Sequence, residues 1–167
     1  MILGIISDTH DHIDHIRKAA ELFRQAGVDM VLHAGDTGSP ASVLAWRGLD
    51  FRGVYGNNDG ERVGLARAAE KIGGRMDAEF MDLHAGGQRL ALYHGYVPAL
   101  HQALILSGTY DVVVTGHTHR IVDQQEGRVR LLNPGTAHGF GKRATAMVYD
   151  TATGQVAILE LAPSPAS

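Results

Sequence analysis

The sequence predicts an α/β layered domain in which strands and helices alternate and then give way to hairpins. Three observations carry this expectation. Short apolar runs end abruptly in polar residues, stretches of helical spacing separate them, and glycine-centred hairpin signals dominate from residue 80 onward.

Ile2 to Ile6 is a nearly all-apolar run that stops at Ser7-Asp8, the pattern of a strand buried on both faces. From His12 to Ala26, Ile13, Ile16, Ala19, Ala20, Leu22, Phe23 and Ala26 recur at helical spacing, and Gly27 ends the helix. Met30 to Leu32 is a second buried strand, Pro40 opens a short helix through Trp46, and Phe51 to Tyr55 is a third strand. Val63 to Ile72 is helical and stops at Gly73-Gly74. Phe80 to His84 and Arg89 to Tyr93 pair around Gly86-Gly87. Val97 to Leu106 is a helix with Pro98 in its first turn, and Val112 to Thr115 is a strand. The remainder reads as antiparallel strands, Arg120 to Gln124 with Val129 to Leu132 and Thr145 to Tyr149 with Gln155 to Leu161. The Pro/Ser-rich residues 163–167 are expected to fray, which leaves residues 1–162 as a single domain.

Composition removes several classes of function. Fifteen Lys and Arg face 18 Asp and Glu, a net charge of -3, with no dense basic block. Long nucleic acid is therefore not the expected partner. There is no cysteine, so disulfides and thiolate metal sites are excluded, and any metal must be held by nitrogen and oxygen. The opening residues lack a basic stretch and reach Ser7-Asp8 too soon for a secretory leader. No apolar run approaches the roughly 20 residues that span a bilayer. The expectation is a cytoplasmic protein with no membrane partner; self-association is left open.

Five polar clusters fall at the ends of the expected strands: Asp8-Thr9-His10, Gly35-Asp36, Gly56-Asn57, His94-Gly95 and Gly116-His117-Thr118-His119. Successive side chains on a strand point to opposite faces, so His117 and His119 project to the same side where this strand runs out and can serve one metal site or two adjacent ones. Asp8 and His10 are spaced in the same way. Each cluster has an ordinary reading by itself. Asp8 can cap the following helix, Asp36 and Asn57 can belong to turns, and His94 can be a satisfied core histidine. Together they supply two carboxylates, four imidazoles and an amide oxygen, enough for two metal sites that share one ligand. In open α/β sheets the carboxyl ends of strands are also where ligands bind.

Asp-x-His, Gly-Asp, Gly-Asn-x-Asp, His-Gly and Gly-His-Thr-His, in that order and followed by Asn133-Pro134-Gly135, resemble the calcineurin-like metallophosphoesterases. Residues 7–12 and 56–62 are most similar to the small YfcE-like phosphodiesterases of that superfamily. The resemblance spans residues 2–161. It implies two packed mixed β-sheets flanked by helices and a centre holding two divalent ions, Mn2+ or Ni2+ foremost, with Zn2+ and Fe as alternatives. Asp8, His10 and His119 would hold the first ion and Asn57, His94 and His117 the second, with Asp36 bridging both. The implied activity is hydrolysis of small phosphodiesters by a metal-bridging hydroxide, with the seven ligands catalytic through the metals. A phosphomonoesterase, a nucleotide hydrolase and a non-catalytic scaffold like the retromer-subunit branch are the alternatives.

Two charge features give the implied chemistry its shape. Two divalent ions against Asp8 and Asp36 leave the ligand set at +2, because the Asn57 amide binds without adding charge; a hydroxide reduces this to +1, matched to a singly charged diester. Many relatives carry a histidine after the motif asparagine that can protonate the leaving alcohol. Here Asn58 stands in its place, as in the YfcE-like branch, and cannot act as an acid. His12, His15, His33, His84, His101 and His138 match no ligand position and are read as surface or core. Lys142 and Arg143 are read as a solvated loop pair within reach of a phosphate, and Trp46 as helix packing or an oligomer contact.

Overall fold

The structure, a computed structural model, describes residues 1–76, 78–140 and 143–162. Residues 163–167 and Lys142 lie outside the described residues. The elements run in the order β1 (Ile2–Ile6), α1 (Ile13–Gln25), β2 (Met30–His33), α2 (Pro40–Leu44), β3 (Phe51–Gly53), α3 (Arg62–Lys71), β4 (Phe80–Ala85) and β5 (Gln88–Tyr93). They continue with α4 (Pro98–Leu106), β6 (Val112–Val114), β7 (Ile121–Glu126), β8 (Val129–Pro134), β9 (Ala144–Asp150) and β10 (Val156–Ala162).

Two five-stranded mixed sheets result. The first has the order β10-β9-β1-β2-β3 and the second β4-β5-β6-β8-β7. β1 pairs parallel with β2 and antiparallel with β9, so the last hairpin returns to the first strand. The second half is not wholly antiparallel: β6 lies parallel to both β5 and β8. The expected third strand is shorter than read. After Gly53 the Val54 N–H still donates to His33 O, but the Tyr55 N–H turns to Ala78 O. The chain leaves the ladder there to carry residues 56–59 toward the strand ends. The second helix likewise stops at Leu44, and Trp46 sits in the turn that follows.

Side-chain alternation sorts the apolar residues into three layers. Leu3, Ile5, Leu32, Leu90, Leu92, Val112, Val114 and Met147 fill the space between the sheets. The opposite face of the first sheet packs under α1, α2 and α3 through Ile6, Ile16, Phe23, Val31, Phe51 and Leu65. Ala91, Val113 and Leu131 face α4 on the far side of the second sheet. Strands covered on both faces explain why β1 and β6 read as unbroken apolar runs. Trp46 is fully buried, its ring centroid 6.0 Å from Phe23 and 6.1 Å from Phe51, which makes it a packing residue. No helix among the described residues is long and apolar enough to cross a membrane.

Two buried polar residues tie the loops beyond β1, β2 and β3 together. His33 is fully buried. Its Nδ1 accepts from the Gly35 N–H and the Thr37 hydroxyl, both at 3.2 Å. That leaves the proton on Nε2, which donates to Thr9 Oγ1 at 3.0 Å; Thr9 in turn donates to Thr37 O. Asp59 accepts the N–H groups of Thr37, Gly38 and Gly56 at 2.8, 3.0 and 2.8 Å. Histidine 33, expected only as core or surface, is a core residue with a wiring role.

Burial, aided by the nearby charges of His94 and His10 and opposed by Asp36, lowers the His33 pKa from 6.5 to about 3. The unfolded chain takes up a proton between these values and the folded chain does not. Stability should therefore fall as pH drops from 6.5 toward 3, by up to about 1.4 kcal/mol per pH unit from this residue. Denaturant unfolding of His33→Gln in chelator, across that range, should show a shallower pH slope than the parent. Equal slopes would refute the assignment.

Candidate metal centre

All five clusters meet at one end of the two sheets, each on a loop that follows a strand. The first sheet delivers Asp8, His10, Asp36 and Asn57 after β1, β2 and β3. The second delivers His94, His117 and His119 after β5 and β6. Ligand-capable atoms of Asp8, His10 and His119 lie within 4.8 Å of one another, and so do those of Asp8, Asp36 and His94.

Strand alternation is not what aims these side chains. β1 ends at Ile6 and β6 at Val114, so Asp8, His10, His117 and His119 all lie beyond the ladder. Their φ values are 53°, 40°, 64° and 57°, and Asp36 has 54°. Left-handed backbone is uncommon for non-glycine residues and concentrates at functional sites. The left-handed residues turn the chain sharply enough to fold the side chains back over the strand ends. The cap of α1 is His12, whose Nδ1 accepts from the His15 N–H, so Asp8 is free of that duty.

Asp8 and Asp36 are both buried. One oxygen of Asp8 lies 3.1 Å from His119 Nε2, and the other accepts the His117 backbone N–H at 3.1 Å. Asp36 Oδ2 lies 3.5 Å from His10 Nε2 and 3.4 Å from His94 Nε2. At those distances the two ring nitrogens face the carboxylate without hydrogen-bond geometry, and both are buried with no partner. Buried polar atoms rarely stay unsatisfied without a reason. Unpartnered imidazole nitrogens beside two buried carboxylates form the donor set that divalent transition ions take.

His94 is oriented from behind. Its Nδ1–H donates to Ala34 O at 2.7 Å, which leaves Nε2 turned into the site, the arrangement that outer partners impose on metal-ligating histidines. Burial lowers the His94 pKa, but the Asp36 carboxylate outweighs it and the net shift is upward. Burial likewise raises Asp36, while the His94 ring and the Asn58 N–H outweigh it and hold that carboxyl well below the usual range. A cation that replaces the His94 proton preserves the same attraction.

His117 and His119 diverge. The His117 ring packs edge-on to His94 at 5.2 Å between centroids, whereas His119 sits beside Asp8 with its ring 6.3 Å from His10. Asn57 occupies an exposed turn position. Asn58, marked in the sequence only as a departure, donates to Asp36 from its backbone N–H at 2.9 Å and its side-chain amide at 2.7 Å.

Glycine is required where these loops touch. A Cβ on Gly56 would run into the Asp36 carboxylate, and one on Gly35 would come within 2.7 Å of His94 Nδ1. Asn133, which the sequence marks only through the family resemblance, donates its amide to Gly116 O at 2.7 Å while its oxygen accepts from the Gly135 N–H. It clamps the loop that carries both histidines. The segment after it straps Asp8 from below, with the Ala137 N–H donating to Ser7 O and the His138 N–H to Asp8 O. No pattern in the sequence marks Asn133, Asp59 or His33 for these roles, since their partners lie 17 to 24 residues away or are backbone groups.

The calcineurin-like phosphoesterase superfamily domain matches residues 1–154. Phosphodiesterase MJ0936 of Methanocaldococcus jannaschii is 36% identical over 143 residues, covering 84% of this chain and 86% of the relative. Phosphodiesterase YfcE of Escherichia coli K12 is 30% identical over 158 residues, covering 81% and 79%. The solved structure of an archaeal phosphodiesterase superposes with a TM-score of 0.90 at 32% identity, covering 96% of this chain and 99% of that one. With two mixed sheets, converging loops and a match over nearly its whole length, the chain belongs to the calcineurin-like phosphoesterase superfamily, whose chemistry is metal-dependent phosphoester hydrolysis.

Proposed function

We propose that this chain is a phosphodiesterase that hydrolyses small phosphodiesters with two divalent cations held at this centre. The observation that carries the reading is Asp36 Oδ2 between the unpartnered Nε2 atoms of His10 and His94. Asp8, His10 and His119 would hold one ion and Asn57, His94 and His117 the other, with Asp36 touching both. The divergence of His117 and His119 supports that division. Asp8 also lies close to Asp36 and His94, so both carboxylates border the shared space. Two named phosphodiesterases among the relatives support a diester as substrate.

When bound, the ions would supply Lewis acidity, making hydroxide available near neutral pH and drawing charge off the phosphoryl oxygens. The protein's own part is positional. Asp8 and Asp36 offset half of the fourfold positive charge, Asn57 offsets none, and the remainder favours a substrate of low negative charge. His94 is held by Ala34 O, and Asp36 by Asn58, so the ligands keep their places before the ions arrive. The nitrogen and oxygen donor set suits Mn2+ or Ni2+, with Zn2+ and Fe as competitors that cellular supply decides. We take residues 1–162 as the unit that performs the reaction.

Bis(p-nitrophenyl) phosphate should be turned over after chelation only when Mn2+, Ni2+ or Zn2+ is restored, and faster than the monoester. No metal-dependent turnover of either compound would favour a scaffold; preference for the monoester would favour a phosphomonoesterase. His117→Ala, at an exposed ligand position, should cost more than about tenfold in kcat/KM with an unchanged circular dichroism spectrum, since even outer partners of metal ligands are worth 10–100-fold. His94→Ala should lose at least as much. Full activity in both variants would end the two-ion assignment.

Asn58 is committed to Asp36 through hydrogen atoms it cannot release as an acid. The rate should therefore depend steeply on leaving-group pKa across a series of aryl methyl phosphates, and Asn58→His should flatten the slope. A flat dependence in the parent enzyme, with chemistry rate-limiting, would contradict this.

A further inference from the structure

A cavity of about 680 Å³ adjoins the centre, and His119 lines both. Its walls come from residues 118–121 at the start of β7 and from the loop that joins β8 to β9. The volume is that of a small-molecule site. A methyl or ethyl ester arm would leave most of it empty.

Nearly every polar group on its walls is already committed. The Thr118 hydroxyl accepts from the Asn133 amide, the Thr136 hydroxyl donates to Asp8 O, and the Thr145 hydroxyl donates to Pro134 O. Arg143 is paired with Glu160. Phe140 supplies an apolar wall, its ring stacked 4.9 Å from His119 and 4.1 Å from His138. Between the two arginines on the walls, Arg120 differs from Arg143. It is exposed, its guanidinium has no partner among the described residues, and no carboxylate is among the described lining residues. An uncommitted guanidinium with no acidic side chain among the described lining residues selects an anion, best a carboxylate or phosphate that accepts two parallel hydrogen bonds.

Building on the phosphodiesterase reading, we propose that this cavity receives one ester arm of the substrate and that Arg120 pairs with a second anionic group on that arm. The favoured substrates are then phosphodiesters bearing a further phosphate or carboxylate, rather than diesters with two neutral arms. The net positive centre binds the scissile diester and Arg120 reads the distal charge, so the two anions are recognised by separate groups.

A matched pair of substrates tests this: thymidine 5′-(p-nitrophenyl phosphate) and the same compound carrying a 3′-phosphate. With the Mn2+-loaded enzyme, the 3′-phosphorylated diester should show a KM at least fivefold lower at similar kcat. Arg120→Gln should erase that preference and leave kcat/KM for the neutral-arm compound within twofold. Equal KM values in the parent, or a preference that survives in Arg120→Gln, would overturn the inference while leaving the phosphodiesterase reading intact. If neither diester is hydrolysed, that reading fails and the cavity is judged by binding alone. Thymidine 3′,5′-bisphosphate, titrated calorimetrically into the chelated protein, should bind at least fivefold more weakly to Arg120→Gln. Equal binding by the two proteins would refute the pairing.

Discussion

Two buried carboxylates, Asp8 and Asp36, must sit side by side at the ends of two neighbouring strands, and most of the structure around them answers that constraint. Like charges this close repel, and neither group reaches bulk water. The protein meets the cost with donors. Asp36 is held by Asn58 and faced by His10 and His94; Asp8 is faced by His119 and accepts the His117 backbone N–H. A divalent cation would complete the same pattern with twice the charge of a proton, and the donor set suits one.

The geometry that brings these groups together is itself strained. Five non-glycine residues of the site lie in the left-handed region, each at a cost on the order of 1–3 kcal/mol. The surrounding hydrogen bonds over-determine the loops and hold them there. Asp59 gathers three backbone N–H groups, His33 links the loops after β1 and β2, and Asn133 fixes the one after β6. Strain and restraint therefore occupy the same few residues. A substitution at Asp59 or Asn133 would act on the site without touching anything bound in it.

The strands and helices were legible because each is read from its own residues. Apolar runs such as Ile2–Ile6 and Val112–Val114 carry their burial with them, and Gly86-Gly87 announces its hairpin. The candidate ligands were legible as residue types at strand ends and through the family resemblance. Strand alternation predicts that His117 and His119 point the same way, but left-handed turns orient them instead. What stayed hidden depends on distant partners. Whether Asn58 faces solvent or Asp36, and whether His33 is idle or a link between loops, is decided by where the loop after β2 passes. Trp46 is packing and not an oligomer contact because Phe23 and Phe51, distant in sequence, enclose it.

The division of the site between the sheets has a mechanical consequence. Asp8, His10, Asp36 and Asn57 descend from one sheet, and His94, His117 and His119 from the other. An ion held by groups from both sheets would act as a rivet between the two halves of the sandwich. Its binding energy is then also cohesion, growing with the free ion concentration as mass action requires. Resistance to unfolding and readiness to react would rise and fall together with the supply of metal.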